Sequence, residues 1–458
     1  MNLVLLSVFG IAGMFPSENA FLPTVHERIV QELADFKERN RVTSVSFALF
    51  KGDEGGFEYA SGYADVEQEI PATPDHFYTL ASVTKSITAM TVLDLVRQNL
   101  LSLSDPVAKF IPRFPPDITV LDLLNHTSGL RRENETEAYL NGSSYQKVVD
   151  YLPTGRVRNK KFSYANINYA AIGTLIEHIT QRPFSAVAAD YFRRVTGEEL
   201  YFSNHPRLDG NPLFVKNYVR RGRRHHQHNL VDFGLWEPVA FAQASPRALA
   251  RFLRHHMTPE FVAQLESMAV ESRSYKLDGG RVARNSYALG FRLSYIDGRL
   301  HCIYHNGFIY GVISTICYLP HKDVGMVIVS NMSTFPSQSL NLFSLHETVE
   351  RVLDEDFNMR IARYVAQFGY QSGIVYYQAN RNQGQLLEEV ICEYGRELLH
   401  GGRRSEAMNL YRFNRVVFPD SNRMHDMMLA TGEGEDPRRI EINIHSDTEE
   451  EISVGGGK

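Results

Sequence analysis

Ser82 and Lys85 stand three residues apart in Ala81-Ser82-Val83-Thr84-Lys85, at the head of a stretch whose apolar residues Ile87, Met90, Val92, Leu93, Leu95 and Val96 recur with helical spacing. On a helix, residues three apart share a face with Cβ atoms about 5–6 Å apart. The ammonium therefore stands beside the hydroxyl at a helix amino terminus, where the dipole also favours negative charge. A serine hydroxyl is a weak nucleophile until a base takes its proton, and a desolvated lysine can be that base. Such a four-residue spacing also recurs by chance, so its weight depends on what accompanies it. Tyr164-Ala165-Asn166 precedes the apolar run Ala170 to Ile179. The phenol can carry protons, and Asn166 can orient a substrate amide. A third segment, Tyr304-His305-Asn306-Gly307-Phe308, lies at the edge of a run of strands. There a glycine lets a substrate approach the backbone closely.

In this order the three segments resemble the serine β-lactamase and penicillin-binding-protein group, which includes class C β-lactamases, D-alanyl-D-alanine carboxypeptidases, D-aminopeptidases and related esterases. The resemblance runs from about residue 25 to 350 and includes the connecting text Leu121 to Leu130 (LDLLNHTSGL), Tyr287-Ala288-Leu289-Gly290-Phe291 and Val324 to Asn331. It implies that Ser82 forms an acyl-enzyme while Lys85 and Tyr164 jointly move protons. It also implies an oxyanion hole from the backbone N–H groups of Ser82 and Phe308, with Asn166, His305, Asn306 and Gly307 contacting substrate. No cofactor and no metal are expected.

The chain departs from the group's usual Lys-Thr-Gly third motif, since His305 replaces the lysine and Asn306 the threonine. A mostly neutral imidazole then stands for a permanent ammonium. That points away from penicillins and peptide carboxylates, toward esters, amides or D-aminoacyl substrates. A second departure is Glu237-Pro238-Val239-Ala240-Phe241, where relatives commonly carry a Gly-Gly pair. The rival reading is an inactive scaffold of the same fold acting in protein interaction; the presence of Ser82, Lys85 and Tyr164 together argues against it.

The elements that must position these residues follow from periodicity. Val25, Ile29, Val30, Leu33 and Phe36 have helical spacing, and Val42 to Phe50 and Phe57 to Tyr63 alternate as strands. Strands are also expected at Tyr287 to Tyr295, Leu300 to Tyr304, Gly311 to Leu319 and Val324 to Ser330, then a helix at Leu340 to Leu353. Strands near both ends with helices between imply an α+β fold: one sheet flanked by helices, with a mainly helical region inserted. By resemblance it is an antiparallel sheet of the β-lactamase/transpeptidase-like fold. Further on, Glu388 to His400 and Ser405 to Phe418 read as two short helices, and Pro419-Asp420-Ser421 as the start of another. The pattern Gly395, Leu398, Leu399, Gly402, Ala407, Phe413, Pro419 resembles a tetratricopeptide unit. The expected plan is a signal peptide over 1–20, a hydrolase domain over 25–355, a tetratricopeptide-like segment over 386–432 and an acidic disordered tail over 433–458.

Composition sets limits on this plan. The 458 residues are 43% hydrophobic and 22% charged with a net charge of -5, so a large core can form and nothing favours nucleic acid. The basic group Arg220, Arg221, Arg223 and Arg224 is local. Cys302, Cys317 and Cys392 form neither a disulfide framework nor a zinc spacing, and the first two read as buried small hydrophobes. His225, His226 and His228 cluster, yet adjacent histidines rarely converge on a metal. The uncharged apolar run Leu3 to Phe15 is too short to span a bilayer. It is expected to be a signal segment, giving a secreted or extracytoplasmic protein; a packed helix in a cytoplasmic protein is the alternative. Sequons at Asn134 and Asn141 permit glycosylation. The expected partners are a small or peptide-like substrate, with a protein partner at the C-terminal helices.

Overall fold

Strand β1 (Ser44–Lys51) is buried from Ser44 to Phe50, and neither of its faces can be left to water. Its partners are β2 (Gly55–Asp65), which follows it, and β14 (Val324–Ser330), which lies far along the chain. Phe47 stands opposite Tyr59 on one side and Ile328 on the other. The remaining strands of this sheet are β3 (Ile70–Pro71), β9 (Val270–Lys276), β10 (Val282–Ala288), β11 (Phe291–Ile296), β12 (Arg299–Ile309) and β13 (Val312–Leu319). The order is β3-β2-β1-β14-β13-β12-β11-β10-β9, and every pairing is antiparallel. This is the expected α+β arrangement, one sheet joined from distant parts of the sequence. The computed structural model describes residues 23–52, 55–130, 160–202, 211–222, 224–229, 234, 236–276, 282–334, 342–381 and 383–421. The expected signal segment, both sequons and the acidic tail lie outside the described residues.

Each face of the sheet has its own core. On one, Ile303, Ile316 and Val327 meet Ile87 and Met90 of the helix Thr84–Arg97, Ile172 of Asn166–Thr180, and Phe252 of Pro246–His256. On the other, Phe47, Ile313, Cys317 and Ile328 meet Ile29, Leu33 and Phe36 of the helix Pro23–Asn40 and Val349 and Val352 of the helix Leu342–Phe368. Covering both faces explains why β13 and β14 are buried throughout and show no alternation. Two small sheets complete this unit: β4 (Tyr78–Thr79), β8 (Ala242–Ala244) and β5 (Tyr201–Phe202) in that order, and β15 (Met332–Thr334), β6 (Tyr218–Arg221) and β7 (Arg224–Gln227) in that order.

Three expected boundaries change. The single strand expected over Tyr287–Tyr295 is two, β10 and β11, turned at Leu289 and Gly290, whose φ angles are 46° and 85°. A Cβ on Gly290 would come within 2.8 Å of Lys85 O and 2.9 Å of Ala89 Cβ, so the turn lies directly against the helix that carries Lys85. The apolar text running through the turn hides it from a periodicity reading. Strand β12 extends to Ile309, which places His305 to Gly307 inside a strand. The helix expected to end at Leu353 continues to Phe368.

The chain divides into compact units at Leu353/Asp354. The second holds the helices Tyr370–Asn380, Glu388–His400 and Arg404–Val417, close to the two short helices expected. Its core includes Phe357, Ile361, Val365, Ile391, Leu398, Leu410 and Phe413, and Gly395 and Ala407 are buried in it. Pro419-Asp420-Ser421, expected to start another helix, forms a turn closed by Ser421 N donating to Phe418 O at 3.1 Å, and the chain after Ser421 lies outside the described residues. No helix among the described residues is long and apolar enough to cross a membrane.

Candidate active site

The nucleophile turn is held from two sides. Leu80 N donates to Ala242 O at 2.9 Å, and Ser314 Oγ of β13 donates to Leu80 O at 2.5 Å. Directly after Leu80, which both bonds anchor, Ala81 takes φ 46°, a left-handed conformation that costs an L-residue energy and persists only where the surroundings enforce it. A single 3-10 turn, Ala81–Val83, then leads into the helix Thr84–Arg97, with Lys85 in its first turn. Ser82 is half-buried and Lys85 is 0% exposed. Lys85 Nζ lies 3.0 Å from Ser82 Oγ and 3.1 Å from Val239 O. The second acceptor comes from the segment that departs from the group's Gly-Gly pair. There the short helix Glu237–Ala240 aims Val239 O at Lys85, while Pro238 O accepts from Thr88 Oγ1 at 2.7 Å.

Tyr164 is half-buried and stands over this pair, with Lys85 Nζ 5.1 Å from its ring centre. Asn166, also half-buried, begins the helix Asn166–Thr180. The loop carrying Tyr164 is set by His126, whose backbone O accepts from Ser163 N at 2.8 Å. His126 Nδ1 accepts from Ala165 N at 3.3 Å and from Asn168 Nδ2 at 3.0 Å. With Nδ1 accepting, the ring proton sits on Nε2, a buried atom with no hydrogen-bond partner among the described residues. The His126 ring lies 4.3 Å from that of Tyr164.

His305 is fully buried and 6.3 Å from the Tyr164 ring, centre to centre. Its Nδ1 donates to Asn306 O at 2.9 Å, because a carbonyl only accepts, and its Nε2 accepts from Tyr287 OH at 3.2 Å. Burial first, then the cations Arg292 and Lys85, hold His305 well below the usual imidazole range. Burial, Lys85, His305 and Arg292 do the same to His126. Both rings are therefore neutral at pH 7. Burial foremost pushes the Tyr287 phenol well above its usual range, which keeps it a donor.

The structure brings Ser82, Lys85, Tyr164 and His305 together, but it changes the parts expected of the third segment. His305 has no exposed surface and both of its ring nitrogens are engaged, so its side chain is placed to position the wall of the site. Strand alternation turns the Asn306 side chain away from the face of His305. Asn306 stands opposite Thr315, and Asn306 Oδ1 and Thr315 Oγ1 are both buried without a partner among the described residues. Gly307 is required for packing: a Cβ there would meet Ser314 Oγ at 2.3 Å, Leu80 O at 2.4 Å and Ala81 Cβ at 3.0 Å. The absent side chain lets β12 run against the nucleophile turn, bringing the Phe308 backbone beside it.

Sequence reasoning missed three contributors. His126 and Tyr287 lie within text already recognised as similar to the group, but their chemistry depends on partners elsewhere in the chain. Arg292, on β11 opposite Tyr304, holds its guanidinium 5.2 Å from the Tyr164 ring and 5.9 Å from that of Tyr287. The only sequence signal for it was a lone basic residue beginning an alternating strand. The histidines His225 and His226 occupy successive positions of β7, so they point to opposite faces, and His225 Nε2 bonds Arg41 O at 3.1 Å.

Residues 27–347 match the Beta-lactamase family. Protein flp of Staphylococcus aureus (strain MW2) is 24% identical over 322 residues, covering 65% of this chain. The chain spans 61% of that relative's length. Teichoic acid D-alanine hydrolase of Staphylococcus aureus is 25% identical over 187 residues, 40% of this chain and 46% of that protein. The crystal structure of D-amino acid amidase from Ochrobactrum anthropi SV3, complexed with L-phenylalanine amide, superposes with a TM-score of 0.59. It is 22% identical, over 74% of this chain and 99% of that one.

Proposed function

The chain belongs to the Beta-lactamase family, and on that premise we propose that it is a serine hydrolase that opens an ester or amide through an acyl-enzyme on Ser82. The observation that carries this reading is the 3.0 Å contact between Ser82 Oγ and the fully buried Lys85 Nζ. In the proposed step Ser82 Oγ attacks the substrate carbonyl as its proton passes to the Lys85–Tyr164 pair. The backbone N–H groups of Ser82 and Phe308 receive the carbonyl oxygen as it becomes an oxyanion. The same pair returns the proton to the leaving oxygen or nitrogen, and water then opens the acyl-enzyme by the reverse sequence. With His126 and His305 neutral, the permanent positive charge near the phenol is that of Arg292, while Lys85 on its other contact exchanges the proton. That charge favours a transition state in which negative charge grows on oxygen.

The substrate class is the finer part of the proposal. Two relatives carry names that specify D-amino-acid chemistry, an amidase and a teichoic acid D-alanine hydrolase, and D-aminoacyl esters or amides are the first candidates here. Arg292 favours a second reading: although His305 removes the motif's ammonium, this half-buried guanidinium can pair with a substrate carboxylate or other anionic group. Purified full-length protein given p-nitrophenyl esters, D-amino-acid amides, their carboxylate-bearing counterparts and nitrocefin separates these readings. Turnover of D-aminoacyl esters or amides above nitrocefin is expected. Fast nitrocefin hydrolysis without ester or amide turnover would overturn the substrate assignment.

A further inference from the structure

A cluster of soft ligand atoms lies on the opposite face of the nine-stranded sheet. Cys317 of β13 stands opposite Tyr304, two residues past Cys302 on β12, so the two thiols are diagonal neighbours. His346, on the helix Leu342–Phe368, lies across them. Both Sγ atoms and a ring nitrogen of His346 lie within 4.8 Å of one another. Exposure is 4% for Cys302, 0% for Cys317 and 8% for His346, and both cysteines are free thiols. His346 Nδ1 is buried without a hydrogen-bond partner among the described residues, a costly state for a ring nitrogen. The Tyr304 ring stacks on the imidazole at 6.2 Å and 19°, which fixes its plane.

A second cluster beside it serves as a contrast. In the β11–β12 ladder Ser294 pairs with Cys302 and Tyr295 with Leu300, leaving His301 as the extra residue of a bulge. The bulge sends His301 toward Glu350, and His301, His321 and Glu350 also hold ligand atoms within 4.8 Å. There, however, Lys322 Nζ lies 2.7 Å from Glu350 Oε1 and 3.0 Å from His321 Nε2. An ammonium already fills the cation's place. Among the described residues the thiol cluster holds no such group.

We propose that Cys302, Cys317 and His346 bind one Zn2+ ion that clamps the helix Leu342–Phe368 to strands β12 and β13. Zinc takes thiolate and imidazole ligands at bonds of about 2.0–2.3 Å, which places tetrahedral ligand atoms roughly 3.5–3.8 Å apart. The cluster reaches this by closing at most about 1.3 Å from its 4.8 Å limit. On binding, the thiols release their remaining protons to solvent, and two thiolates neutralise the ion inside an apolar layer. A water completes the coordination; the burial of the cluster makes the role structural.

The test is Co2+ titration of the reduced, chelator-treated full-length chain, followed by displacement with Zn2+. One Co2+ per chain is expected, with thiolate-to-cobalt charge-transfer absorption in the near ultraviolet and its loss on adding Zn2+. Cys302→Ser, Cys317→Ser and His346→Ala remove the absorption, while Glu350→Gln keeps it. A readout independent of variant folding is the wild type's thermal midpoint, which rises by several degrees with excess Zn2+. The proposal is overturned by absent charge-transfer absorption in the reduced wild type, by its persistence in a folded Cys302→Ser/His346→Ala variant, or by a midpoint indifferent to Zn2+. Isolation of the chain with a Cys302–Cys317 disulfide that withstands mild reductant overturns it as well.

Discussion

Each face of the nine-stranded sheet sets a buried lysine near histidines, and the two faces treat them in opposite ways. On the Ser82 face, Lys85 reaches a hydroxyl and a peptide carbonyl, and burial beside cations holds His126 and His305 neutral. On the other face, Lys322 is 4% exposed and locked to the Glu350 carboxylate, which its cationic neighbours hold far below the usual carboxylate range despite burial. There His301 is raised, mainly by the same carboxylate, and His346 is raised too. A buried cation locked to a carboxylate is structural, whereas one that bonds a serine hydroxyl is placed to exchange protons with it. The same residue types are therefore set for proton exchange on one face and for cohesion on the other, according to the charge of their neighbours.

The largest expected effects separate the two lysines. Lys85→Ala lowers kcat/KM for a good ester substrate by about 100- to 10,000-fold, the usual range for a lost proton-transfer group, while the urea midpoint changes little. Lys322→Met leaves a carboxylate buried with only imidazoles beside it. It destabilises the fold by about 3–5 kcal/mol, and at temperatures where the variant is folded kcat is unchanged. Equal losses of kcat in the two variants would break the comparison. A smaller effect belongs to Gly307→Ala. Its methyl group displaces Leu80 and Ala81 at a cost of about 1–3 kcal/mol, and kcat falls more than KM rises because the nucleophile turn moves. Arg292→Gln raises KM for anionic substrates roughly tenfold, the worth of one charge-assisted contact of about 1.5 kcal/mol, and leaves neutral substrates within a factor of a few.

The smallest expected effect is a pair of opposed pH dependences. His126 and His305 are depressed in the fold, so the unfolded chain binds more protons. The stability tied to their neutrality is present above the unfolded value of 6.5 and is lost as pH falls below it. His301 and His346 are raised, so their contribution is complete below 6.5 and is lost as pH rises through their folded values. Urea midpoints measured from pH 5 to 9 for His305→Gln and His301→Gln test this: the first variant loses less than the wild type on the acid side, the second less on the alkaline side. The same sign of change in both would remove the distinction between the faces.

What was legible in the sequence was what local spacing encodes. Three residues of helix place Lys85 behind Ser82, and alternation with apolar runs placed β1, β13 and β14. The role of His126 was not legible, since its tautomer is set by Ala165 and Asn168, about forty residues away. Nor was that of Arg292, which reaches Tyr164 from another strand. The turn at Leu289-Gly290 was hidden because apolar residues continue through it. The thiol cluster escaped because its ligands come from two strands and a helix, so no short spacing announces it.

Fluorophosphonate labelling followed by peptide mass spectrometry tests the central claim most directly. Wild-type protein, Ser82→Ala and Lys85→Ala are compared under native conditions. The account predicts one adduct per chain on the peptide containing Ser82, slowed severely in Lys85→Ala and absent in Ser82→Ala. A folded wild-type chain that takes no label at Ser82, or an adduct that persists in Ser82→Ala, would contradict it.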